Sequence, residues 1–254
     1  MLNYIIATYS ANSLEYSLQL QLQILYSIIM QDKIKYLTQV TIVCPPVKAN
    51  HKEHKFYYQK EMWSNLFNQT KVNLVFLDYK GDNKYASYDQ WIQAYLAFPE
   101  FEYFLFIEDD YCIHPSLVNF DSILVDYYCD QGYMCTFASS LNSLKHHAAI
   151  SNGMVDKKTM LELGPNILQD FYKLASIYEA QYAFSIMFEN KNVEISSMHA
   201  DFIAWFWSSL RKCLEIYSDK NVSNMMFIPV QYLLQPHFTT MVKTKPLSNL
   251  GYQF

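Results

Sequence analysis

The chain has 254 residues, of which 51% are hydrophobic and 17% aromatic, so it can bury a substantial core. A net charge of −5 without a basic stripe argues against nucleic acid as a partner, and five cysteines without a C-x-x-C pair argue against a zinc knuckle or a disulfide framework. Because no apolar stretch reaches the roughly 18 residues of a membrane span and the N-terminus lacks a basic flank, we expect a cytoplasmic protein without a transmembrane segment.

The first half of the chain alternates strand-like and helix-like segments. Short apolar runs end at prolines or polar residues, and longer segments between them repeat their apolar residues at spacings of three and four. In chain order, the predicted strands are 2–8, 40–46, 72–78 and 103–109, and the predicted helices are 13–31, 57–69 and 88–98. This alternation predicts an α/β fold with a mostly parallel central sheet flanked by helices. Ligands bind such sheets outside the carboxyl ends of the strands.

The second half, from about residue 119, is less regular. Its predicted strands are 133–139 and 191–198, and its predicted helices are 154–163 and 179–190. No internal repeat or low-complexity linker divides the chain, so the sequence predicts one continuous domain over residues 1–254.

Three acids stand at the end of the fourth predicted strand. The apolar run 103–107 is followed directly by Glu108, Asp109 and Asp110. Adjacent carboxylates repel each other unless a cation lies among them, and oxygen ligands suit Mg²⁺, Mn²⁺ or Ca²⁺. A solvated acidic turn is the alternative. The chain has only five glycines and no glycine-rich phosphate loop, so a metal held here would be the means of neutralising a diphosphate.

Around these acids the sequence resembles the D-x-D region of nucleotide-sugar-dependent glycosyltransferases with the GT-A fold. The segments that carry the resemblance are KYASYDQWIQAYLAFPE, FEYFLFIEDDYCIHPSLV, AAISNGMVDKKTMLELG and YEAQYAFSIMFENKNVEI. In the family these correspond to the helix before the acidic strand, the acidic strand itself, an acceptor-side loop and helix, and a later helix that carries a catalytic acid in inverting members. The chain departs from D-x-D because Glu108 takes the first position.

The resemblance implies a GT-A-like domain with a Rossmann-like nucleotide-sugar-binding half at about 1–118 and an acceptor-binding half with a C-terminal closing segment at about 119–254. It also implies transfer of a hexose-type sugar from a nucleoside-diphosphate sugar, with a UDP-sugar as the first candidate, to a glycan, lipid-linked or protein hydroxyl. Such transfer would depend on Mn²⁺ or Mg²⁺ and would invert the anomeric carbon. Two alternatives stay open: a non-catalytic sugar-nucleotide or glycan-binding module with the same fold, and a metal-dependent phosphohydrolase.

The resemblance also implies roles for individual residues. The expected metal ligands are Asp110, Asp109 and either His199 or His237. The residues expected to bind the nucleotide sugar are Thr8, Tyr9, Asp78, Lys84, Glu108, Asp109, Asn152 and Gly153. The expected catalytic base is Glu179, with Asp170 and Asp201 as alternatives.

Each of these assignments has a plainer structural alternative. Thr8 and Tyr9 are also typical strand-end capping residues, Lys84 a typical surface lysine, and Asn152 part of an ordinary turn. An acid such as Glu179 is also favoured in the first turn of a helix by the helix dipole.

Overall fold

A mixed seven-stranded sheet organises the chain. The computed structural model describes residues 1–8, 28, 33–45, 60–81, 84–109, 111–113, 120–131, 135–137, 152–193, 195–197 and 227–229. In chain order the elements are β1 (Leu2–Ala7), β2 (Leu37–Cys44), α1 (Lys60–Phe67), β3 (Asn73–Asp78), α2 (Ser87–Ala97), β4 (Tyr103–Glu108), β5 (Tyr111–Ile113), α3 (Phe120–Gln131), β6 (Cys135–Phe137), β7 (Asn152–Asp156), α4 (Lys157–Glu162), α5 (Ile167–Ala175), α6 (Ala180–Glu189), β8 (Ile195–Ser197) and β9 (Phe227–Pro229). Among these helices, none combines the length and the apolar character needed to cross a membrane.

The strand order in the sheet is β3-β2-β1-β4-β7-β6-β8. The first four of these strands are parallel, β7 runs antiparallel to both β4 and β6, and β8 is parallel to β6. A separate two-stranded antiparallel sheet pairs β5 with β9. The predicted α/β architecture with a mostly parallel central sheet is therefore confirmed.

The central strands are buried on both faces, which explains their nearly continuous apolar sequences. On one face the helix α2 packs against the sheet, where Trp91 stacks on Phe106 of β4 with ring centroids 5.5 Å apart. Phe184 of α6 joins this cluster through an edge contact with Trp91. On the other face Tyr4 of β1 meets Phe120 of α3. Trp91 is thus a core residue, with its indole Nε1 donating to the carbonyl of Ile107 at 3.2 Å.

A row of polar side chains crosses three of the parallel strands inside this apolar surrounding. The Asn73 amide donates to the Gln39 amide oxygen at 3.2 Å. The Gln39 amide donates to the Thr41 hydroxyl at 3.0 Å, and that hydroxyl donates to the Asn3 amide oxygen at 2.8 Å. Asn3, Gln39 and Thr41 are all buried. These bonds satisfy the Gln39 amide, the Thr41 hydroxyl and the Asn3 amide oxygen, which would otherwise be costly to bury.

A single carboxylate anchors the start of β2 to a helix of the second half. Asp121, in the first turn of α3, is fully buried. Its Oδ2 accepts the backbone N–H groups of Lys35, Tyr36 and Leu37 at 2.8, 2.6 and 2.9 Å. The segment before β2 therefore has its backbone donors satisfied by a side chain rather than by a strand neighbour.

The sequence-based boundaries were wrong mainly in the second half. Residues 154–156, predicted to open a helix after a loop, belong to β7. The helix begins only at Lys157, because the Asp156 carboxylate accepts the N–H of Thr159 at 2.7 Å and caps it. Helices α3 and α5 had no predicted counterpart, and residues 191–193, predicted to open a strand, form a turn after α6 instead. The predicted helix 13–31 lies outside the described residues except for Ile28, which is helical. The division into halves near residue 118 stays a prediction.

Candidate functional site at the carboxyl rim of the sheet

The carboxyl ends of β1, β2, β3 and β4 lie side by side at one edge of the sheet, which we call the carboxyl rim. Through their last residues, β1 is paired with β2 and β4, and β2 with β3. The antiparallel β7 starts at the same edge, with Asn152 opposite Ile107. The structure thus brings Thr8, Asp78, Glu108 and Asp109 to one edge, as the strand pattern predicted.

Thr8 is held firmly within the rim. Its backbone N–H donates to the Gln90 side-chain oxygen and its carbonyl accepts from the Gln90 amide, both at 3.0 Å. Its hydroxyl donates to the carbonyl of Val43 at 2.7 Å. The strand-capping interpretation accounts for these contacts. The Gln90 side chain of α2 therefore bonds the Thr8 backbone in the way that a neighbouring strand would.

The two described acids of the triplet occupy different environments. Glu108 is half-buried, and its Oε1 accepts a hydrogen bond of 2.9 Å from the hydroxyl of Ser87, the first residue of α2. Asp109 is buried, and its backbone N–H continues the sheet by donating to the carbonyl of Ala7 at 3.0 Å. The β4 strand therefore carries the first two acids into the rim at fixed positions.

The remaining described candidates of the nucleotide half are exposed. The Asp78 side chain is 87% exposed and pairs with Lys60 at 3.5 Å. Lys84 is exposed, and its ammonium lies 5.2 Å from the ring centroid of Tyr85. The exposed ion pair between Asp78 and Lys60 contributes little to stability, so a ligand can displace Lys60 from Asp78 at small cost.

Behind the rim, Asp89 accepts hydrogen bonds from two tyrosine hydroxyls that lie in distant parts of the chain. It lies in the first turn of α2 and is buried. Its Oδ2 accepts the Tyr79 hydroxyl, from the residue after β3, and that of Tyr172 on α5 at 3.5 Å. Burial raises the pKa of the Asp89 carboxyl above its ordinary value, while the Tyr79 hydrogen bond acts in the opposite direction.

Gly81 makes this arrangement possible by allowing close approach. A Cβ at position 81 would collide with the hydroxyl end of Tyr79. Because that hydroxyl is bonded to Asp89, the ring cannot swing away without breaking the bond.

The candidate base, Glu179, follows a helix that contacts the first turn of α2. Tyr172 near the end of α5 bonds the first turn of α2, which begins at the rim, so α5 ends near this edge. The chain turns there, and two backbone N–H groups after the helix donate to the carbonyl of Leu174. Glu179 follows as the N-cap residue of α6, with φ −59° and ψ 147°. Its side chain is exposed and makes no capping hydrogen bond. The carboxylate is thus presented to solvent rather than used by its own helix.

Asp170 and the Asn152–Gly153 pair have other surroundings. The Asp170 carboxylate accepts from the Lys173 ammonium at 3.2 Å in an exposed pair on α5. Asn152 and Gly153 were expected in a small-residue loop or turn, and this was wrong. They are the first residues of β7, and Gly153 is paired with Phe106 on one side and Phe137 on the other.

Several predicted site residues lie outside the described residues: Tyr9, Asp110, His199, Asp201 and His237. Within the described part of the chain, no group of three or more histidine, cysteine, aspartate or glutamate residues is placed to hold a metal ion. What this part supplies is a pair of carboxylates, Glu108 and Asp109, whose oxygens are the ligands that Mg²⁺ and Mn²⁺ prefer. The metal site stays a prediction.

Sequence reasoning missed the polar residues in the first turn of α2. Ser87, Asp89 and Gln90 are all buried, and each bonds a rim residue or a neighbouring element. The available signal was their clustering at the start of an otherwise apolar helix. Polar side chains at a helix start usually cap the helix, and here they contact other elements instead.

Comparison with known proteins places this fold. No protein-family model and no curated protein sequence matches the chain. Among solved structures, the glycosyltransferase GlyE of Streptococcus pneumoniae TIGR4 superposes with a TM-score of 0.52 at 10% identity, over 95% of this chain and 56% of GlyE. Its apo form gives 0.51 at 10% identity, over 95% and 55%. A glycosyltransferase involved in glycosylation of the major capsid of PBCV-1 gives 0.48 at 11% identity, over 91% and 94%. The chain thus spans about half the length of GlyE and shares its fold, which confirms the GT-A-like fold class.

Proposed function

We propose that the chain transfers a sugar from a nucleoside-diphosphate sugar, with a UDP-sugar as the first candidate, to a hydroxyl acceptor, in a reaction that requires Mn²⁺ or Mg²⁺. One observation carries the proposal: Glu108 and Asp109 end the fourth parallel strand at the carboxyl rim of a sheet whose fold is shared with a solved glycosyltransferase. Open sheets of this type bind ligands at that edge.

The nucleotide would lie along the rim from β3 toward β4. The exposed Asp78 carboxylate accepts hydroxyls of a ribose once its weak pair with Lys60 opens. The exposed Lys84, three residues before α2, pairs with a phosphate. The first turn of α2 adds the positive end of its dipole on the same side.

The acids after β4 would hold the divalent ion, with Asp110 as its principal ligand and Asp109 beside it. When bound, the ion supplies charge stabilisation for the departing nucleoside diphosphate. Glu108 lies next to these acids and would contact the ribose or the sugar.

The acceptor would be activated by Glu179, the N-cap residue of α6. Glu179 takes the proton of the acceptor hydroxyl while the oxygen forms its bond to the anomeric carbon. The bond from that carbon to the diphosphate oxygen breaks in the same step, and its electron pair leaves with the diphosphate. Attack opposite the leaving group inverts the configuration. Solvent exposure of Glu179 and its lack of a capping bond leave the carboxylate able to serve in this way.

The test is turnover of a panel of nucleoside-diphosphate sugars with Mn²⁺, with and without chelator, followed by mass spectrometry. We expect one donor to be consumed only when metal is present, and Asp110→Ala to abolish this while Asp126→Ala, an exposed acid on α3, does not. Full turnover in chelator, or full activity of Asp110→Ala, would contradict the metal assignment. Donor binding without turnover would favour a binding module, and hydrolysis of simple phosphate esters a phosphohydrolase.

A further inference from the structure

We infer that Ser87 is a positioning residue that orients the Glu108 carboxylate for donor binding, and that the first turn of α2 is anchored on several sides for this purpose. The inference rests on the proposed function, because it assigns Ser87 a role through a residue of the proposed donor site. Neither the strand pattern nor the acidic triplet pointed to Ser87.

The bond itself joins two elements at the rim. Ser87 is the first residue of α2 and is 4% exposed, and Glu108 is the last residue of β4. The serine hydroxyl donates to Glu108 Oε1 at 2.9 Å. A glutamate side chain has several rotatable bonds, so a fixed donor on a neighbouring helix restricts the carboxylate to few orientations.

The position of Ser87 is determined by contacts from four parts of the chain. Gln90 exchanges two hydrogen bonds with the backbone of Thr8 at the end of β1. Asp89 accepts the hydroxyls of Tyr79 and Tyr172. One turn along α2, the Trp91 indole Nε1–H donates to the carbonyl of Ile107, the residue before Glu108. The helix start therefore cannot shift without breaking bonds to β1, to the residue after β3, to α5 or to β4.

The residue before Ser87 has an unfavourable backbone conformation. Ala86 has φ 55° and ψ −126°, a region that a residue with a Cβ rarely adopts. Such conformations persist where surrounding contacts over-determine them, and they concentrate at functional sites. Here the strained residue separates Lys84 and Tyr85 from Ser87.

The expected effect is on donor binding more than on the chemical step. Loss of one hydrogen bond to a charged group corresponds to roughly 10- to 100-fold in an equilibrium constant. We therefore expect Ser87→Ala to raise the KM for the donor and the Kd for nucleoside diphosphate with Mn²⁺ by about that factor, with kcat changed much less. Ser87→Thr, which keeps the hydroxyl, should restore most of the affinity. Ser185→Ala removes an equally buried serine hydroxyl from α6 and serves as the matched control.

A double-mutant cycle with Glu108→Ala decides whether Ser87 acts through Glu108. Calorimetric titration of nucleoside diphosphate with Mn²⁺ is carried out on the wild-type chain, both single variants and the double variant. We expect Ser87→Ala to weaken binding in the wild-type background and to add almost nothing once Glu108 is absent. Ser87→Cys, with a similar shape and a weaker donor, replaces Ser87→Ala in the cycle if the alanine variant does not fold.

Three results would overturn the inference: unchanged affinity in Ser87→Ala, additive losses in the double variant, or an equal loss in Ser185→Ala. These three results bear on Ser87 when the wild-type chain binds or consumes a nucleotide sugar. A wild-type chain that does neither, with every donor and metal tried, refutes the proposed function itself.

Discussion

Replacing Asp121 with alanine should destabilise the protein far more than removing the exposed carboxylate of Asp126 on the same helix. Its Oδ2 accepts three backbone N–H groups before and at the start of β2. In Asp121→Ala these donors lose their acceptor, and the side chain that replaces it cannot supply another. The change leaves the carboxyl rim untouched, so it tests the reasoning about the fold separately from that about function.

The magnitude follows from how deeply each donor is buried. A hydrogen bond to a charged group contributes about 1.5–3 kcal/mol, and a donor left unsatisfied in the interior costs about 1–3 kcal/mol. The bond to Leu37 is buried, whereas those to Lys35 and Tyr36 are only partly buried, so water can replace part of what they lose. Within the described residues Asp121 Oδ1 has no partner, which lowers the net value of the wild-type carboxylate. Together these considerations predict a loss of about 3 kcal/mol in the free energy of unfolding.

Urea unfolding followed by circular dichroism measures this loss. The control is Asp126→Ala on the same helix, because the Asp126 carboxylate bonds the side chains of Lys35 and Tyr36 at the exposed surface. Asp121→Asn, which keeps one oxygen acceptor without the charge, should fall between the wild type and Asp121→Ala. A loss below about 1 kcal/mol in Asp121→Ala, or an equal loss in Asp126→Ala, would refute the claim that buried backbone donors depend on this carboxylate.

Three further changes have defined outcomes. Burial raises the pKa of Asp89, so its contribution to stability is fully present below the unfolded pKa of about 3.9 and is lost as pH rises through the native pKa. Urea titrations should therefore show the wild type losing stability relative to Asp89→Asn as pH rises above about 4, and a pH-independent difference would be the contrary result. Gly81→Ala should push Tyr79 off Asp89 and lower the free energy of unfolding by about 1–3 kcal/mol, whereas an unchanged urea midpoint would mean that the ring moves freely. Glu179→Gln should reduce kcat by about 10²–10⁴ with donor KM unchanged, and a retained anomeric configuration of the product, read by proton coupling, would exclude Glu179 as the base.

The parallel half of the fold could be predicted from the sequence because its signals are local. Buried parallel strands are continuous apolar runs with clear ends, and the structure places β1, β3 and β4 within one or two residues of the predicted bounds. The gathering of Thr8, Asp78 and Glu108 at one edge then follows from strand direction alone. No partner outside each segment had to be known.

The parts that could not be predicted depend on distant partners. Residues 154–156 can continue into a helix or form a strand. Their pairing with β4, some fifty residues earlier in the chain, decides for the strand. Likewise, nothing near Asp89 shows that Tyr172, 83 residues later, will donate to it. Without knowledge of the element that they contact, polar residues at a helix start are interpreted as ordinary capping residues.

The polar row across β1, β2 and β3 has a consequence for how these strands choose their alignment. A slip of two residues between parallel strands keeps every side chain on its own face, so apolar residues of similar size discriminate poorly against it. Asn3 lies beside Gln39, and Gln39 lies beside Asn73, in the observed pairing. A two-residue slip in one direction would set Asn3 and Asn73 beside the apolar Leu37, and in the other it would set them beside Thr41, whose single hydroxyl would replace the Gln39 amide. Either slip breaks the hydrogen bonds of the row. The row therefore selects one alignment among several that hydrophobic burial alone would leave nearly equal in free energy.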